Sequence, residues 1–348
     1  MADRPAERHG YPSECSGRLT RLSAQTQNTS RVRKEKLKLD YGVHLPVIDF
    51  GFERFSMERL CAYVRKAEEL GFKAVSTNDH LIHSRPWLDA PTALAAVLSH
   101  TGKMAVGTSV ALPVVRGPVQ LAKALAAIDI LSNGRLFVGV GPGSSARDYE
   151  IMGIDYEERW KRFDEAVQVL RALWSADGSQ FAGRFYSTTG IDLEPRPLQR
   201  PSPPIWIGSW GSDAGLRRVA RLGDGWLASA YNTTPDEFRV GLEKLRDQLT
   251  NIGKDLESFP NALVTMFMYI TANRAEAERA LTETIGALLN RPVDQLRERL
   301  LVGSPQACAE KLAAYRAAGV QRVFLWPVSD ELNQLAIFRE KVAPLVGE

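Results

Sequence analysis

The chain has 348 residues, 44% of them apolar and 24% charged, with a formal net charge of +3; these proportions suit one large globular domain or two smaller ones. So slight a positive balance gives no reason to expect a nucleic-acid partner or an anionic membrane, and no apolar run reaches the roughly 18 residues of a membrane span. Cys15, Cys61 and Cys308 are odd in number, far apart and in no metal-ligand spacing, which fits a reducing cytoplasm and argues for neither disulfides nor a metal site.

Residues 1–37 carry Ser, Thr, Gln, Asn and Arg, with few large apolar residues and no periodicity. No apolar segment follows the early arginines, so this is not a secretory signal. It reads as a disordered or non-native tail ahead of a domain at 38–348. The first strand is expected at 37–46, where Leu39, Tyr41, Val43 and Leu45 alternate with Lys38, Asp40, Gly42 and His44. Ser56 is placed to cap a helix with Met57, Leu60, Cys61, Val64 and Ala67 at helical spacing, stopped by Gly71. Strands are expected at 73–77, 104–111 and 136–140, with helices at 90–100 and 121–131 between them. The last of these strands is nearly all apolar, as a strand covered on both faces must be.

After Gly143 the rhythm changes. The main feature up to Pro204 is one long helix at 156–174, with Phe163, Val167, Leu170 and Leu173 on one side. This is an insertion placed to cover a cavity. Strands at 204–208, 225–228, 262–271 and 321–327 follow, with helices at 212–222, 234–252 and 330–342 and another from Ser304-Pro305 to Gly319. Strands alternating with helices run parallel. Eight of them spell a (β/α)8 TIM barrel with an insertion after the fourth strand. In such a barrel chemistry gathers where strands end, so Asp79, His80, Ser109 and the run Gly141-Pro142-Gly143 would rim one cavity.

The strings Glu69-Leu70-Gly71-Phe72 leading to Asn78-Asp79-His80-Leu81, and Val106-Gly107-Thr108-Ser109-Val110, occur in that order. Ala126 to Arg135, Gly139-Val140-Gly141-Pro142-Gly143, Pro204-Ile205-Trp206-Ile207-Gly208 and Gly223-Asp224-Gly225-Trp226 follow. In order and spacing this resembles the luciferase-like monooxygenase superfamily of flavin- and deazaflavin-dependent barrels. The Asp-His pair, the Thr-Ser-Val turn and Leu325-Trp326-Pro327 resemble the branch that uses coenzyme F420, with an FMN-dependent monooxygenase as the alternative and a non-catalytic flavin-binding barrel as a third reading.

The resemblance implies an oxidoreductase that moves a hydride between F420 and a small organic substrate, and association as a homodimer through barrel helices. It makes His80 the residue at the reactive ring face, an acid/base or polarising group near neutral pH. It makes Asp79 a ring contact or the orienter of His80. It implies a cis peptide and a bulge at Ser109-Val110. Gly141 and Gly143 would approach the ligand through bare backbone. Gly208, Ser209 and Gly211, before a helix start, would hold the cofactor tail. Ser144 stands where relatives acting on a sugar phosphate carry a glutamate, which argues against that substrate. His44, His83, Arg116, Trp226 and Trp326 are further residues near strand ends.

Overall fold

Short apolar runs that each lead into a helix can pair only in parallel, and the chain closes them into a ring. The computed structural model describes residues 39–347, and the tail expected at 1–37 lies outside them. The strands are β1 (Asp40–His44), β2 (Ala74–Thr77), β3 (Ala105–Ala111), β4 (Leu136–Val140), β5 (Ile205–Gly208), β6 (Gly225–Ser229), β7 (Asn261–Ile270), β8 (Leu301–Gly303) and β9 (Arg322–Pro327). β1 to β7 and β9 form the ring, closed by the β1–β9, β7–β9 and β6–β7 pairings, all parallel. This is the expected (β/α)8 barrel, with helices on its outside.

β8 is the departure. It lies outside the ring and pairs with the far end of β7, Met268 opposite Leu301 and Ile270 opposite Gly303. Three residues leave no periodicity to read, so no pattern announces it. Short helices at Pro113–Arg116 and Ala146–Ile151 were missed for the same reason.

The interior of the ring is filled by a small set of large side chains, Phe137, Trp206, Leu227 and Phe324 among them. Gly107 makes room for it: a Cβ there would meet the Phe137 ring and backbone at 2.5 Å. The larger core lies between ring and helices. All five residues of β4 are buried, as its apolar run requires.

The insertion leaves the ring after β4 and returns at β5. It contains the helices Ala146–Ile151 and Arg159–Trp174. Its return is fastened by Asp129, a fully buried carboxylate in the helix Pro118–Leu131. Asp129 accepts from the backbone N–H of Leu198 (2.7 Å) and Gln199 (3.0 Å) and from Gln199 Nε2 (2.7 Å). Among the described residues no helix is long and apolar enough to cross a membrane.

Candidate active site

Where β2 to β7 end, the loops enclose a cavity of about 340 Å³. Asp79, His80, Ser109, Val110, Gly141, Gly143, Gly208 and Ser209 all line it. Gly211, also expected at the cofactor, is not in the wall; it sits half-exposed with φ +89°.

His80 is largely buried, its ring 5.1 Å from that of His83 and 4.5 Å from that of Trp87. Burial first, and the neighbouring His83 second, lower its pKa to about 4. The imidazole is therefore neutral at pH 7, and its Nδ1 has no hydrogen-bond partner. A neutral imidazole in the cavity wall has a ring nitrogen able to take a proton.

Asp79 is committed elsewhere. Its side chain is wholly buried, and Arg116 holds both oxygens, Nε to Oδ2 at 2.5 Å and Nη2 to Oδ1 at 2.6 Å. Arg116 also donates to Asp89. Burial works against the charge on Arg116, but the two carboxylates outweigh it and raise its pKa. Arg116 thus stands behind the wall as a strut for Asp79 rather than facing a substrate.

The Ser109-Val110 peptide is cis, and the pairing of β3 with β4 shifts register between Thr108 and Ala111. Ser109 Oγ donates to Ser76 Oγ at 2.9 Å. The glycines nearby serve Val110. A Cβ on Gly141 would come within 2.9 Å of Val110 Cγ2, and one on Gly208 within 3.1 Å of Val110 Cγ1. Directly across the ring, β7 carries its own irregularity: its register against β9 shifts between Leu263 and Met266, and Thr265 has φ +58°. That conformation is rare for a β-branched residue.

Sequence reading missed several wall residues. Ser229, Tyr231 and Thr265 form a polar corner, Ser229 Oγ lying 3.4 Å from Thr265 Oγ1. Tyr156, Arg159 and Trp160 come from the insertion, which thus does cover the cavity. Asp148 also lines it and accepts from the Ile82 backbone N–H at 3.2 Å. Burial raises its pKa. None of these stands in a motif; only folding brings them to the mouth. Conversely, Trp226 is fully buried, stacks on Phe238 at 4.6 Å and donates to Ser209 O. Trp326 is buried against His44, ring centroids 3.5 Å apart. Neither reaches the cavity wall. Among the described residues no cluster of His, Cys, Asp and Glu is arranged to hold a metal.

The sequence profile of luciferase-like monooxygenases matches residues 22–322. The chain belongs to the luciferase-like monooxygenase family. It is similar to an F420-dependent glucose-6-phosphate dehydrogenase of Amycolatopsis mediterranei, 27% identical over 323 residues, 84% of this chain and 95% of the relative. It is 28% identical over 314 residues to an F420-dependent hydroxymycolic acid dehydrogenase of Mycobacterium tuberculosis, covering 84% of this chain and 85% of that one. Among solved structures it is similar to the monooxygenase RslO1 of Streptomyces bottropensis, with a TM-score of 0.76 and 25% identity over 88% of this chain and 99% of the other.

Proposed function

We propose that this luciferase-like protein is an F420-dependent oxidoreductase that withdraws a hydride from an alcohol carbon of an organic substrate. The observation that carries the reading is His80, a neutral imidazole in the wall of the cavity. The relatives named as F420-dependent dehydrogenases, aligned over most of both chains, support the choice of coenzyme.

The residues present fit such a coenzyme. The Val110 bulge gives a ring one wall, and Ser209 and Gly211 lie next to a helix start that favours an anionic tail. Ser212 already caps that helix through Gly215 N–H, so fewer donors remain free there. When bound, F420 supplies the hydride acceptor. The chain's task is to hold the substrate against it, exclude water and take the hydroxyl proton on His80. Asp79, locked by Arg116, fixes the backbone from which His80 projects.

Titration with F420 and with FMN tests the reading. Expected is micromolar-range binding of F420, none of FMN, and substrate oxidation without oxygen. Preference for FMN with oxygen-dependent turnover would instead make it an FMN monooxygenase; its structural neighbour RslO1 is named a monooxygenase.

A further inference from the structure

A second cavity, of about 420 Å³, opens between the helices Asp213–Leu222 and Pro235–Asn251. Arg217, Arg218 and Arg221 line it, together with the amide of Gln248 and the apolar side chain of Ile252, and its lining holds no carboxylate. Arg217 and Arg221 stand four apart on one helix, a like-charge spacing that works against the helix. Asp164, on the helix Arg159–Trp174, offsets part of this by pairing with Arg218 Nε at 2.5 Å and with Arg221. Among the described residues no carboxylate pairs with Arg217. Asp213 feels its charge, but is itself held by Lys244 Nζ at 2.7 Å. One carboxylate against three guanidinium groups leaves the cavity positive.

One helix links this cavity to the barrel mouth. Ser212 and Gly215 line the mouth cavity, and Arg217 and Arg218 follow them in the second one. Trp160, in the wall of the mouth cavity, carries the Arg218 guanidinium over its ring at 4.5 Å. At the rise of an α-helix, Arg217 stands roughly 8 Å and Arg221 roughly 14 Å along the axis from Ser212. Each guanidinium presents a planar fork of N–H donors that matches a carboxylate or a phosphate. Asp164 takes one edge of Arg218 and of Arg221 and fixes their direction, while the other N–H groups remain for a ligand.

We infer that this second cavity is a binding site for a short multivalent anion, a chain of carboxylates or phosphates that bridges Arg217 and Arg221. Side chains one helical turn apart put two such anionic groups about 5–6 Å from each other. Gln248 adds an amide donor, and Ile252 an apolar wall for the links between the charged groups. The anion arrives either free or as the acidic tail of a molecule seated in the mouth cavity; the chemistry that recognises it is the same. The site does not depend on the hydride reading above.

The test is calorimetric titration of the full chain at low salt with tripolyphosphate, tetraglutamate and orthophosphate. Expected is saturable binding of at least one of the two chains, about tenfold or more tighter than orthophosphate because linked groups bind together. The bound chain should also raise the melting temperature. The doubly substituted Arg217→Gln, Arg221→Gln protein should bind about tenfold or more weakly, through the loss of charge-assisted hydrogen bonds, and lose the thermal shift. An Arg239→Gln, Arg297→Gln protein loses two exposed cations outside this cavity and should keep its Kd within about twofold, since distant charges are largely screened. Melting without anion shows that each variant folds. No saturable binding of either chain, or equal losses in the two variants, overturns the inference. Repeating the titrations with saturating F420 separates the two sources. Competition assigns the site to a tail from the mouth cavity and unchanged binding to a free anion, and both support the site. Failure of F420 itself to bind would remove the coenzyme reading alone.

Discussion

The base role proposed for His80 rests on surroundings that deny it a charge. A base must be unprotonated, so activity should persist above a pKa of about 4 and be lost as pH falls through it. The profile of kcat/KM between pH 4 and 8 reads this directly; an acid limb near the ordinary histidine value of about 6.5 would contradict the burial argument. His80→Gln should lower kcat by about 100-fold or more, the usual worth of a positioned base, with the binding of F420 retained. Arg116 acts at one remove. Arg116→Gln would leave Asp79 buried without its partner, at a cost of about 3–5 kcal/mol, measured by urea denaturation. Asp79→Asn in the same chain should recover part of that loss, because the uncompensated charge goes with it. The Asp-His pair was legible in the sequence as two reactive residues at a strand end. That one of them is bound to an arginine 37 positions away was not, because nothing local announces a contact of that separation.

At the scale of elements, two irregular strands face each other across the ring, β3 with its shift at 108–111 and β7 with Thr265. The strand runs, their order and the long helix of the insertion could be read from alternation and apolar spacing. The β7 irregularity could not, since Asn261–Ile270 is unbroken in pattern. A left-handed non-glycine residue costs about 1–2 kcal/mol. Thr265→Gly should therefore leave stability unchanged or raise it, yet weaken substrate binding by removing the hydroxyl of the polar corner; thermal melting and substrate titration together check this. Gly141, expected to offer bare backbone to a ligand, and Gly208, expected at the cofactor tail, both lie against Val110. Gly141→Ala should displace Val110 and cost about 1–3 kcal/mol, together with affinity for the coenzyme.

The whole molecule should feel acid through its buried histidines. Burial, first among the causes, lowers His44 to about 3 and His80 to about 4, and it also lowers His83. The unfolded chain protonates each near 6.5. Below that value the unfolded state binds more protons than the native one, so stability is full above about pH 6.5 and drains away as pH falls towards 4 and 3. Each group adds a slope of at most about 1.4 kcal/mol per pH unit. Urea unfolding at pH 7.5 and 5 should show the drop, and His44→Phe, which keeps a ring against Trp326, should make it shallower. Nothing in the composition foretold this: the sequence holds five histidines, and only their burial separates those that resist protonation from those that do not.

The carboxylate of Asp129 has a consequence for how such a barrel diversifies. Tyr156, Arg159 and Trp160 all belong to the segment that begins after Gly143 and is tied back at Leu198 and Gln199. What a ligand meets on that side is thus cut from one continuous piece of chain that Asp129 helps tie back at its far end. Exchanging residues 144–199 for those of another member, with Asp129 kept, would trade one appetite for another and leave the machinery at His80 where it stands.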